Sequence, residues 1–232
     1  MKHIEQFKRE AFTLAEILIT LGIIGIVAAL TIPNLMSNYR AKKLQTQLQR
    51  ANAIIQQAGL RMKADEINLD EVVNKRDYQT FQSYFKDGGC ELPKQAAYNV
   101  YRTYSNTNAA KASASRLIQP FCLADGQILW IGELYNLVDT TTWTKDTNNA
   151  MLAIDINGWK NKPNRYGHDV FFWAYDPKAQ MLVPMGESKV YFSVSPSIYY
   201  KQCPGHESWG EQGIGCTYKA LNDKSYFSNL PK

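Results

Sequence analysis

The side chains able to do chemistry are few and widely spaced. There are three histidines, His3, His168 and His206, and four cysteines, Cys90, Cys122, Cys203 and Cys216. Nothing follows the H-E-x-x-H spacing of metal hydrolases, the G-x-S-x-G nucleophile turn or the phosphate-binding P-loop. No catalytic constellation stands out, so the expectation is a non-enzyme without a resident cofactor. The most distinctive internal stretch is residues 155–169, DINGWKNKPNRYGHD. Its D-x-N-G opening is similar to part of an oxygen-ligand calcium loop, with Asp155, Asn157 and Asp169 as the ligands it would offer. It lacks the later bidentate Glu and the full register of an EF-hand. The leading expectation is therefore a tight turn, in which Asp155 and Asn157 cap and Gly158 supplies a positive φ.

The cysteines read as bridges rather than nucleophiles. An even number in an exported domain points to disulfides, and four cysteines allow three connectivities. The favoured pairing is Cys90–Cys122 with Cys203–Cys216. The second bridge would close a Pro/Gly-rich loop with little apolar content to hold it. A metal site from Cys203, His206 and Cys216 is the rival, and it lacks a fourth ligand.

All four cysteines lie beyond one long apolar run. Residues 12–32, FTLAEILITLGIIGIVAALTI, carry a single charge, Glu16. As a helix, 21 residues span about 31 Å, the thickness of a bilayer's hydrocarbon core. A soluble core helix rarely stays apolar all round for this length. The 232-residue chain is 45% hydrophobic and 20% charged, which excludes wholesale disorder. Its net charge of +5 is unevenly placed. Residues 1–60 hold seven basic and three acidic groups, leaving the rest nearly neutral. The excess brackets the apolar run, so bulk charge gives the body no reason to bind nucleic acid.

A secretory signal peptide would explain the run, but the leader holds Glu5 and Glu10, and Ala28-Ala29 is a poor cleavage site. A plain single-pass anchor would not explain Glu16. A carboxylate in such a helix costs about 2.5–3.5 kcal/mol at mid-bilayer and less near the end, and usually has a partner.

The stretch KRE-AFTLAEIL, residues 8–18, resembles the processing site of type IV pilins and type II secretion pseudopilins. Gly25 and Pro33 also match helix-weakening positions of that family. The likeness spans residues 8 to about 38. It implies a leader, 1–11, removed by a prepilin peptidase between Ala11 and Phe12, with Phe12 then N-methylated. Ala11 departs from the usual Gly before the cut. The resemblance makes Glu16 the assembly residue, whose carboxylate would meet the amine of a neighbouring Phe12. Two charges costly in lipid then neutralise each other. It also implies a bacterial inner-membrane protein of single-pass, domain-outside topology. Its partners would be the peptidase and other pilin-like subunits of a filament. A disulfide-closed C-terminal loop is similar to that of many pilins, and a D-x-N-G…P-N…G-x-D stretch occurs in a subset of pseudopilin-like proteins.

The rest of the chain must carry the domain. The organisation expected is a transmembrane and assembly helix over 12–33, an amphipathic continuation over 34–63, and a globular domain over 64–232. Pro33 would weaken or kink the helix. Leu44, Leu48, Ala51, Ile55, Ala58 and Met62 recur at spacings of four and three, one stripe of a helix packed on the domain. Short helices are expected near 70–73 and 78–85, a turn at 86–89, and strands at 127–131, 151–155, 169–175 and 181–185. Residues 140–149 read as a loop or hairpin tip. The fold class is α+β and pilin-like: a long N-terminal helix on a roughly four-stranded antiparallel sheet with disulfide-closed loops. Two functions fit: a structural subunit, pseudopilin or minor pilin, or a membrane-anchored exported enzyme or ligand-binding domain.

Overall fold

The structure, a computed structural model, describes residues 13–89, 101–102, 104–105, 117–133, 136–137, 143–144, 150–186, 203 and 213–231. The chain divides into two compact units, Met1–Ala41 and Lys42–Lys232.

In the first unit the apolar run forms the opening part of helix α1, Leu14–Ala64. Pro33 lies inside α1, which continues as helix on both sides of it. Hydroxyls within the apolar run bond back to the helix itself. Thr20 Oγ1 donates to the Glu16 and Ile17 carbonyls and Thr31 Oγ1 to the Val27 carbonyl, each at 2.9 Å. A hydroxyl satisfied this way presents no unpaired donor to an apolar surrounding.

The second unit contains the last turns of α1 and the remaining elements. These are α2 (Leu69–Lys75), α3 (Tyr78–Ser83), β1 (Leu117–Cys122), β2 (Ile128–Glu133), β3 (Asn136–Leu137), β4 (Trp143–Thr144), β5 (Ala150–Asp155), β6 (Val170–Asp176), β7 (Met181–Pro184) and α4 (Thr217–Asn222). β1, β2, β5, β6 and β7 form one sheet in that order, every pair antiparallel. The sheet thus has five strands, not four. The additional one is the edge strand β1, in which Pro120 pairs with Trp130. β3 and β4 form a separate two-residue ladder, with β4 inside the 140–149 region read as a loop or hairpin tip and β3 just ahead of it.

Side chains alternate between two buried faces. Leu129, Ile131, Leu152, Ile154, Phe171 and Trp173 line the first. The α1 stripe covers it: Leu48, Ala51, Ile55, Ala58 and Met62 are all buried, and Leu44 is half-buried. Polar flanks fix the docking angle. Trp173 Nε1 donates to Asn52 Oδ1 (3.1 Å), and Gln56 Nε2 donates to the Leu182 carbonyl (2.7 Å). α3 extends this layer through Phe81 and Phe85, whose rings meet Phe121 of β1 at centroid distances of 5.8 and 5.5 Å. On the second face Ile128, Trp130, Met151, Ala153, Val170 and Phe172 pack with Tyr101, Tyr166, Met185 and Ile214.

The two short helices start on side-chain caps. Asn68 Oδ1 accepts from Asp70 N (3.0 Å), and Asp77 Oδ1 accepts from Thr80 N (3.3 Å). Asp70 is itself buried, and its Oδ1 accepts the Ala150 N–H at the start of β5 (2.7 Å). Burial pushes its carboxyl up to about 6, against the pull of that hydrogen bond.

Two outcomes test this packing. Ile55→Ala removes a fully buried side chain from the α1 stripe and is expected to cost about 2–5 kcal/mol in denaturant unfolding. Leu60→Ala, on the exposed side of the same helix, should stay within about 0.5 kcal/mol. For Asp70 the folded pKa lies above the unfolded one, so the folded state holds the extra proton. Its contribution is fully present below pH 3.8 and is lost as pH rises through about 6. Asp70→Asn keeps an acceptor for Ala150 without the charge. The variant should be more stable than wild type at pH 7 by on the order of 1 kcal/mol, and the gap should close at pH 3.5.

Candidate functional site

Two regions gather the residues singled out by sequence. The first is the start of α1. Glu16 Oε2 accepts from Thr13 N and from Thr13 Oγ1, both at 2.8 Å, while Thr13 Oγ1 faces Glu16 N at 3.3 Å. This is a reciprocal capping box, with Thr13 as cap and Glu16 three residues on. It satisfies donors that a helix start otherwise leaves open and places the acidic group at the positive end of the helix dipole. The T-x-x-E spacing of Thr13 and Glu16 is visible in the sequence. Beyond the cap the helix is apolar and bare. Leu14, Leu18, Leu21, Ile24 and Leu30 are each more than 60% exposed, and none of the most apolar stretch is buried. By length and composition this helix is a candidate for a single membrane span. Ala11 and Phe12 lie outside the described residues.

The second region is the polar turn between β5 and β6. Asp155 ends β5 and Asp169 precedes β6, and both are fully buried. Asp155 Oδ1 accepts from Asn157 N (3.2 Å) and Gly158 N (2.8 Å), and its Oδ2 accepts from the Tyr101 hydroxyl (3.0 Å). Asp169 Oδ2 accepts from Asn157 Nδ2 (3.2 Å) and Asn164 N (2.8 Å), and its Oδ1 accepts from Arg165 N (2.6 Å). Six donors thus converge on two carboxylates, and Asn157 bridges them. Gly158 has φ +80° and sits where a Cβ would meet the Gly126 carbonyl at 2.8 Å, so the expected positive φ is present.

Burial pushes both carboxyls upward. For Asp155 the neighbouring Asp169 adds to the shift, and the converging hydrogen bonds oppose it on both groups. The structure does bring Asp155, Asn157 and Asp169 together, with all four carboxylate oxygens accepting hydrogen bonds. Among the described residues no group of three or more His, Cys, Asp or Glu side chains is arranged to hold a metal ion. Among the described residues Asn157 Oδ1 and Asn164 Oδ1 are buried acceptors with no hydrogen-bond partner.

The C-terminal segment clamps this turn. Cys203 and Cys216 form a disulfide, with a Cα–Cα distance of 4.6 Å. Gly167, φ +73°, packs where a Cβ would lie 2.8 Å from the Tyr104 ring and 3.1 Å from Cys216 Sγ. Any larger residue there would strike the bridge. Tyr226 Oη donates to the Gly167 carbonyl (2.6 Å), and Phe172 N donates to Thr217 Oγ1 (2.8 Å). Arg165 reaches the Tyr104 carbonyl through Nη2, and the His168 ring stands edge-on to Tyr104 at 4.9 Å. Burial pushes His168 down to about 4. The Arg165 charge adds to this, and a hydrogen bond with the Tyr104 backbone opposes it.

Sequence reading missed Tyr101, Tyr104, Thr217 and Tyr226 as parts of this cluster, because all are far from it in the chain and carry no spacing signal. Cys122 is disulfide-bonded; Cys90, its expected partner, and His206 lie outside the described residues.

Comparison with known proteins finds no family model that matches the chain, no matching curated protein and no matching solved structure.

The two buried carboxylates predict an outcome opposite in sign to that of Asp70. Asp169→Asn replaces one acceptor oxygen by an amide that must face the Asn164 or Arg165 N–H. The variant should lose on the order of 1–3 kcal/mol at pH 7 for the buried donor left unpaired, read as a lower denaturant midpoint.

Proposed function

We propose that the chain is a pilin-like structural subunit, a pseudopilin or minor pilin of a type IV filament or type II secretion-like system. The observation that carries this reading is the FTLAE motif directly ahead of a long apolar helix with no buried residue in its most apolar stretch. A helix of that kind must be covered by lipid or by copies of itself. In this reading the leader 1–11 is removed between Ala11 and Phe12 by a prepilin peptidase, and Phe12 is N-methylated. The chain is held in the bacterial inner membrane with the disulfide-bonded domain outside. No residue of the domain is assigned a catalytic role.

Glu16 is then the assembly residue. Within one chain its carboxylate is held by Thr13 at the helix start. When helices dock in register, that carboxylate would be offered the amine of a neighbouring Phe12, and each charge would relieve the other's cost in lipid. Lys8 and Arg9, just ahead of the cut, serve as a processing and topology signal and leave with the leader.

Intact-mass measurement on the chain purified from its membrane tests the reading. The expected species begins at N-methylated Phe12. A chain that retains Met1, or one cut after Ala29, would overturn it. Glu16→Ala should insert and fold normally yet fail to enter filaments, and normal incorporation would remove the role given to Glu16.

A further inference from the structure

In the Lys42–Lys232 unit a groove of about 240 Å³ opens beside the last turns of α1. One wall is α1 itself, with Arg50, Ile54, Ala58 and Arg61. The other is made by residues 84–86, just after α3, and by the β1–β2 turn at residues 123–125. The floor is apolar: Ala58, Phe85 and Leu123 are buried. The rim is cationic. Arg50 is paired with Asp125 at 3.2 Å. Arg61 and Lys86 are exposed, and among the described residues neither side chain has a hydrogen bond or an ion pair. The wall between them is held in place, since the Tyr84 hydroxyl donates to Asp65 (2.8 Å) and Ala124 N donates to the Lys86 carbonyl (3.1 Å).

We propose that this groove is a docking site for an acidic and apolar peptide segment of a partner protein, with the partner's carboxylates on Arg61 and Lys86 and an apolar side chain on the floor. Two observations set this class. The space is smaller than the roughly 300–1,000 Å³ of pockets that enclose a small molecule, so it takes one or two side chains of a segment lying across it. Among the described lining residues the one acid, Asp125, is paired with Arg50, which leaves Arg61 and Lys86 to select a carboxylate.

This proposal does not rest on the N-terminal reading and stands or falls by a separate measurement. The probe is a labelled five-residue peptide of alternating glutamate and leucine, titrated into the full chain in detergent, with its glutamine counterpart as control. The acidic peptide is expected to bind at least about tenfold more tightly than the control. Binding should weaken as salt rises, since exposed ion pairs are screened. The double variant Arg61→Glu with Lys86→Glu should lose at least about tenfold in affinity. Both positions are exposed, and unchanged thermal unfolding will show that the variant folds. Absence of saturable binding, equal binding of the two peptides, or unchanged affinity in the double variant overturns the proposal. So does a result in which the peptide fails to bind while the double variant abolishes self-association, which would assign the groove to a second copy.

Discussion

A sheet buried on both faces is the constraint from which most of this molecule follows. One face is covered mainly by an apolar ridge, the stripe of α1 from Leu48 to Met62, with Phe81 and Phe85 beside it. The other is covered by short segments outside the sheet, such as those at Tyr101 and Tyr166 and the 3-10 turn at Ile214. A helix brings its own hydrogen bonds to a buried interface, but irregular backbone does not, so every polar group it carries inward must find a partner there. Side-chain burial holds both faces, and the second adds a network of polar contacts around its irregular backbone.

That difference explains where the buried charges are. The carboxylates Asp155 and Asp169 sit where irregular chain crosses the second face, and they act as templates for backbone N–H groups that no strand or helix would satisfy. They organise the turn at the expense of holding two ionisable groups in a dry place, where burial pushes both carboxyls upward. The disulfide-closed segment completes the arrangement by covering the turn, with the Gly167 backbone against the bridge and the Tyr226 hydroxyl on its carbonyl. Asp70 is a different case. It holds one N–H at the start of β5, and a neutral amide could do the same. The buried carboxylates thus differ in how many donors depend on both of their oxygens.

Periodicity made the first face legible in the sequence. The four-and-three spacing from Leu44 to Met62 marked the helix ridge, and the apolar runs marked β2, β5, β6 and β7 because strands covered on both sides read as nearly unbroken hydrophobic stretches. β1 was missed because Pro120 breaks its run, and proline in a strand argues for an edge or for no strand at all. The turn residues Asp155, Asn157 and Gly158 were legible because turn chemistry is local. Their long-range partners, Tyr101, Tyr104, Thr217 and Tyr226, were not, since nothing local distinguishes an aromatic that will cover a turn from one that will not. The helix cap was in plain view as T-x-x-E, yet the membrane reading drew attention to the charge of Glu16 and away from its geometry.

The same proline that hid β1 has a counterpart on the opposite side of the sheet. The outer strands are β1 and β7, and each carries one, Pro120 and Pro184. Each removes a donor from the outermost row of the ladder, which makes a poor template for the strand of another molecule. Bare strand margins offer any neighbouring chain a place to pair. Blunted ones lower that risk, so crowding can be tolerated without the sheets fusing into a continuous aggregate.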